Sequence, residues 1–191
     1  MTCGRCLLQP GPFERVTAAV DYAFPWALWA LALKSEQNMA LARPMAHFMS
    51  SEWQKVREDY PLRRWIWTAV PLHPLKLMQR GFNPAWQLAK ACHAMCEQDG
   101  DTLAPTLLQR RHWQVDQHTL PHHRRQQAVK NAFALAPGAL HAEPDRDHAV
   151  LIVDDVMTTG ATLHACAEAI RRHWDLPIHA LVFARTPARN R

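Results

Sequence analysis

The sequence predicts an α/β fold: a single domain whose mostly parallel β-sheet is flanked by helices. Short apolar or β-branched runs recur at 15–23, 64–72, 148–156 and 177–185, and segments with helical spacing of apolar residues lie between them. Strands that alternate with helices in this way build a parallel sheet joined by crossover helices. The run VLIVDD at 150–155 adds a second signal. It is apolar without alternation, as a strand covered on both faces must be.

At 191 residues the chain has the length of one domain with one good core. Its 48% hydrophobic and 20% charged content is that of an ordinary globular protein. Lys and Arg outnumber Asp and Glu by 22 to 17, for a net charge of +5. That excess suits polyanions such as nucleic acid or phosphorylated metabolites, and equally a solvated basic surface. No apolar run approaches the about 20 residues of a membrane span. The richest, Phe24 to Leu33, is followed by Lys34 and Glu36. The opening MTCGRC has no signal-peptide pattern, so a cytoplasmic location is expected. Five cysteines, an odd number, argue against a disulfide framework.

The elements follow in order. RVTAAVDYA (15–23) reads as a strand, and Pro25 opens a helix, PWALWALALK, from its first turn. Residues 38–57 form a second amphipathic helix, with Leu41, Met45, Phe48 and Met49 on one face and Trp53 beyond. RWIWTAVPL (64–72) is a buried strand. HPLKLMQRGFNP reads as a basic turn, followed by a helix from about Ala85 to Gln98. DGDTLAP is a loop, LLQRR a short strand, and 112–127 a polar, basic loop or surface helix. PGALHAEPDRD (137–147) is a linker. HAVLIVDDV is the next strand, TGATLHACAEAIRRHW the next helix, and PIHALVFAR (177–185) the last strand, before a basic tail.

Asp154 and Asp155 are expected at the carboxyl end of a parallel strand, where ligands of open α/β sheets bind. The turn from Val156 through Met157 to Ala161 leads into a helix. Thr158, Thr159 and Thr162 supply hydroxyls, and Gly160 admits close backbone approach or a positive φ. Backbone N–H groups of such a turn and a helix N-terminus make an anion cradle. Carboxylates beside an anion cradle suit one ligand that carries both a phosphate and vicinal hydroxyls, as a ribose 5-phosphate does. The carboxylates accept hydrogen bonds from the hydroxyls directly or through Mg²⁺. A receiver domain also opens on VLIVDD, but too little chain follows Asp155 for one. A Walker B strand would need a GxxxxGK[ST] loop, which the chain lacks.

The pattern of hydrophobics, Asp154, Asp155, two variable residues, then Thr158, Thr159, Gly160, a variable residue and Thr162 resembles the signature of type I phosphoribosyltransferases, which bind phosphoribosyl pyrophosphate (PRPP). CGRCLLQPGPFERV near the start, AVPLHPLKLMQRGFN in the middle and KNAF at 130–133 resemble the ComF/GntX family, which is phosphoribosyltransferase-like and associated with competence and use of imported DNA. The resemblance covers almost the whole chain. It implies that residues 13–191 form a phosphoribosyltransferase-like domain. Residues 1–12 are then the remnant of a CxxC segment, Cys3 and Cys6, of a four-cysteine zinc ribbon. With two of four ligands present, zinc is not expected. Cys92 and Cys96 are read as buried core thiols.

By the same resemblance the acids hold the ribose hydroxyls and residues 158–162 hold the 5-phosphate, with Val156 and Met157 in the same binding stretch; the Arg80 guanidinium suits a bidentate grip on pyrophosphate. Arg80, Gly81, Phe82 and Asn83 become site or site-supporting residues, and Phe82, Trp86 or the final strand are candidates to line an acceptor pocket. A loop at 112–131, with Gln117, Arg124, Arg125 and Lys130, covers the ligand. Two departures from the family pattern stand in that machinery: Pro84 replaces a usual Gln, and Ala128 replaces a usual Asn. Two functions remain open. One is a Mg²⁺-dependent transferase moving phosphoribose from PRPP to a base or amine acceptor. The other is a non-catalytic PRPP-sensing module that binds single-stranded DNA through His112, Trp113, Arg124, Arg125 and the basic tail.

Overall fold

A computed structural model describes residues 11–110, 132–138 and 143–187. A central sheet of five strands has the order β1-β7-β6-β2-β3. These are β1 (Arg15–Asp21), β7 (Ile178–Arg185), β6 (His148–Met157), β2 (Arg64–Ala69) and β3 (Thr102–Leu103). Every neighbouring pair in it is parallel, as the α/β reading requires. A two-stranded antiparallel ribbon, β4 (Leu108–Arg110) with β5 (Phe133–Leu135), stands beside the sheet.

Alternate residues of the buried strands feed two cores. Leu151 and Val153 of β6 join Trp65 and Trp67 of β2 and Leu181 and Phe183 of β7 on one face. There they meet α1 (Trp26–Ser35), α2 (Ala42–Arg57) and α4 (Pro84–Cys96). Met45, Met49, Trp53 and Val56 form the buried stripe of α2, the period a helix needs to cover a sheet. On the other face, Val150 and Ile152 meet Leu163, Cys166 and Ile170 of α5 (Ala161–Arg171) together with Phe133 of the ribbon.

Three local readings change. HPLKLMQRGFNP contains a two-turn helix, α3 (Pro74–Arg80), in place of a turn. Pro74 sits at its first position, the His73 Nδ1 accepts from the Leu75 N–H at 3.2 Å, and Gly81 ends it at φ 78°. These are the ordinary start and stop devices of a helix. No residue of α3 is buried and Leu75, Leu77 and Met78 are exposed, so the segment packs no apolar stripe against the sheet. DGDTLAP contains β3, whose two residues pair with Ile66 and Trp67 at the sheet edge. The third change is β5, a strand for which the KNAF segment gave no signal. Pro84 proves to be the first residue of α4, behind an Asn83 cap that accepts from the Ala85 N–H. The Cys3–Cys6 segment, the loop at 112–131, the linker residues 139–142 and the last four residues lie outside the described residues.

A buried ion pair ties the amino end of the sheet to its helices. Arg57 at the end of α2 makes two contacts with Asp101, at 2.6 and 2.9 Å. Both side chains are within 5% exposure. Asp101 also accepts from the Trp65 backbone N–H at 3.0 Å and the Trp67 indole at 3.3 Å. Its lone pairs are therefore largely satisfied, which a buried carboxylate requires. Asp101→Ala leaves the Arg57 guanidinium buried and unpaired. The expected loss is about 3–5 kcal/mol in denaturant unfolding.

His179 of β7 lies at the same end, among Trp53, Trp65 and Tyr60, whose ring centroids are 6.3, 4.9 and 5.0 Å away. Neither ring nitrogen has a hydrogen-bond partner among the described residues. Burial, then the nearby charge of Arg15, lowers its pKa from 6.5 to about 4. The unfolded chain therefore binds this proton more readily than the folded one. The contribution is intact above pH 6.5 and declines as the pH falls toward 4. Urea titrations across that window should show a loss of up to about 3 kcal/mol. His179→Leu should flatten that slope; an unchanged slope would refute the assignment.

Candidate functional site

β6 runs two residues past its acids. Val156 and Met157 still pair with Ala184 and Arg185 of β7. The turn the sequence placed from Val156 therefore narrows to Thr158–Gly160. On the other edge, pairing with β2 ends sooner. The last register pair is Ala69 with Val153, followed by a Val70 N–H to Val153 C=O bond of 2.9 Å. Asp154 and Asp155 thus stand where β6 keeps one neighbour and loses the other. The gap between the diverging strands is the opening of the site.

The two acids face opposite ways because successive strand residues do. Asp154 points to the α5 face, where its charge acts on buried Cys166. It lines a shallow open cavity of about 40 Å³ with Val156, Met157, Thr158, Thr159, Gly160, Ala161, Thr162 and Leu163. Asp155 is buried and points to the α1 face. Its Oδ1 lies 2.9 Å from the Lys34 Nζ and accepts the Val156 N–H at 2.6 Å. Asp154 Oδ1 accepts the Asp155 N–H at 2.9 Å. Desolvation, and then the charge of Asp155, hold the Asp154 carboxyl well above the usual carboxylate range. A hydroxyl donor or a cation arriving there would draw it back toward the ionised form.

Gly160 turns the chain into α5. It takes φ 76°, a left-handed conformation that favours glycine. The helix has no side-chain cap at its start; Thr159 Oγ1 makes only a long 3.4 Å bond from the Ala161 N–H. Thr158, Thr159, Ala161 and Thr162 are exposed. The first-turn N–H groups and the helix dipole therefore face the cavity as a cationic cradle. One carboxylate and one anion cradle share a single space.

Arg80 ends α3, beyond the carboxyl end of β2, with no ion pair among the described residues. Asn83 supports this region: its Nδ2 donates to the Val70 C=O at 2.9 Å, tying α4 to the chain that leaves β2. Phe82 is buried in the core under α4, and Trp86 packs against the same core. Gln117, Arg124, Arg125 and Lys130 lie outside the described residues. Two cations escaped the sequence reading. Lys34 stands 121 positions before its partner, a contact no local pattern announces. Arg185 is exposed and registers with Met157 at the rim. Its place at the end of a recognised strand was the available clue.

Comparison with known proteins decides the family. A model of the phosphoribosyl transferase domain matches residues 110–191, the stretch that holds β6, the turn and α5. The DNA utilization protein YhgH of Escherichia coli O157:H7 is 30% identical over 191 residues, spanning 97% of this chain and 78% of that protein. The chain belongs to the ComF family. A second relative in this family is YhgH of Salmonella typhi, 30% identical with the same coverage. Competence protein F of Haemophilus influenzae is 25% identical over 89% of this chain and 72% of its own length. The parallel sheet agrees with the type I phosphoribosyltransferase-like architecture of the family.

Gly160→Ala tests the turn. A Cβ there would meet Met157 Sδ at 3.5 Å, ordinary contact, so the cost is the left-handed backbone. Unfolding measurements should show a loss of about 1 kcal/mol.

Proposed function

We propose that this ComF-family chain binds PRPP with Mg²⁺ at the carboxyl edge of β6 and transfers its phosphoribosyl group to a base or amine, releasing pyrophosphate. The supporting observation is the shared cavity of Asp154 and the uncapped start of α5. A ligand that pairs a phosphate with vicinal hydroxyls satisfies both halves. A simple phosphate leaves Asp154 without a role.

The division of labour follows from the chemistry of each group. The N–H groups and hydroxyls of Thr158–Thr162 bind the 5-phosphate. Asp154 accepts hydrogen bonds from the ribose hydroxyls and so fixes the sugar ring. Arg80 offers its guanidinium to the pyrophosphate. Displacement at the anomeric carbon passes through an oxocarbenium-like state, which needs orientation and water exclusion and no protein nucleophile. Among the described residues no group of three or more His, Cys, Asp or Glu side chains could hold a metal ion. The single Asp154 carboxylate at the cavity suits Mg²⁺ carried in on phosphates, since this ion keeps waters and takes one or two carboxylates. Asp154 would be the protein ligand, and the ion would offset charge on the departing pyrophosphate.

The curated relatives are named for DNA utilization and competence. We infer that this chain serves the same process. A PRPP-sensing module that binds single-stranded DNA without turnover is the second reading those names favour. Pyrophosphate release with a defined base or amine selects the transferase, and salt-sensitive DNA binding without release selects the module.

The primary test is calorimetric titration of PRPP with and without Mg²⁺, with ribose 5-phosphate as control. PRPP should bind more tightly than the monophosphate and only weakly without Mg²⁺. Asp154→Ala should weaken binding by at least about tenfold, the loss of one charge-assisted hydrogen bond. Equal affinity for the two ligands, or an unaffected Asp154→Ala variant, would remove the basis for a PRPP site.

A further inference from the structure

We propose that Lys34 is a positioning residue of this site, holding Asp155 off the ligand and cancelling its charge so that Asp154 alone meets the ribose. This inference rests on the PRPP reading and assigns the two acids different tasks.

The geometry separates them. Asp155 does not line the cavity, whereas Asp154 does. The Asp155 side chain is 9% exposed and its Oδ1 is engaged by the Lys34 ammonium at 2.9 Å and the Val156 N–H at 2.6 Å. A ligand hydroxyl would have to displace that ammonium to reach it. Lys34 stands in the last turn of α1, where the helix dipole favours a cation. From there it reaches the end of β6 and joins the first crossover helix to the strand that carries the site.

The electrostatics require such a group. A ligand with a phosphate and a pyrophosphate is strongly anionic, and two adjacent carboxylates oppose it. Pairing one of them with an ammonium of low exposure removes a unit of negative charge from the rim without removing the carboxylate facing the sugar. The same ion pair fixes the Asp155 backbone, whose N–H holds the Asp154 Oδ1 at 2.9 Å. Lys34 thus acts on the ligand through both acids while touching neither ligand nor cavity.

The experiment is PRPP–Mg²⁺ calorimetry on the full chain and three variants: Lys34→Met, Lys34→Arg, and Lys34→Met with Asp155→Asn. Thermal unfolding is measured alongside. Lys34→Met should bind PRPP at least about tenfold more weakly, as expected when a buried charge loses its partner. Lys34→Arg should stay near wild type. The double variant should recover most of the loss, because the uncompensated carboxylate is gone. A purely structural role would lower the unfolding temperature and leave the affinity of folded protein unchanged. Wild-type affinity in Lys34→Met overturns the inference and leaves the PRPP site standing. A double variant as weak as Lys34→Met also overturns it, since Asp155 would then be a direct ligand contact. No PRPP binding by the wild type overturns the functional reading and this inference together.

Discussion

A buried strand must pair its backbone groups on both edges, and β6 does so only with parallel neighbours. Most of the architecture follows from that constraint. Parallel neighbours cannot be joined by hairpins, so the chain crosses over through α1 and α2, through α3 and α4, and through α5. Helices then cover both faces, and both sets of strand residues become apolar. Parallel strands also release all their chain ends at one rim. The site forms there because β2 stops pairing at Val153 while β7 continues to Met157.

Two ion pairs of low exposure occupy opposite ends of this sheet, and they differ in kind. Arg57 and Asp101 are almost completely buried, and Asp101 is surrounded by donors. That pair joins α2 to the start of β2, and it is a device of folding. Lys34 and Asp155 lie at the functional rim, with Lys34 partly exposed at 32%. One acid of the motif is thereby occupied and the other is left with a raised pKa at the cavity wall. Identical residue types, adjacent in the chain, acquire unequal chemistry because they project into different surroundings.

What was legible in the chain was what depends on local composition. The run from Val150 to Val153 is apolar because both faces are covered, and small polar residues follow because a turn and an anion cradle need them. The helical stripe of α2 was legible for the same reason: Met45, Met49 and Trp53 repeat at the period of the surface they bury. By contrast α3 has exposed Leu75, Leu77 and Met78, so its periodicity carried nothing, and its signals were the cap residues Pro74 and Gly81. β3 and β5 span two and three residues. Segments so short have no period of their own and exist as strands only through their partners.

By itself the sequence determined the α/β class, the order of the main strands and helices along the chain, and the motif at 154–162, whose turn the structure confines to residues 158–160. Each of these is written in neighbours along the chain. Only the tertiary structure decided that β6 lies between β7 and β2, that Asp154 lines the cavity, and that Asp155 is held by Lys34. Those outcomes depend on which strand edges meet and which side chains project to which face. Both are settled by packing between segments far apart in the chain, 28 positions for Val150 with Ile178, 84 for Ala69 with Val153 and 121 for Lys34 with Asp155, where local spacing carries no information.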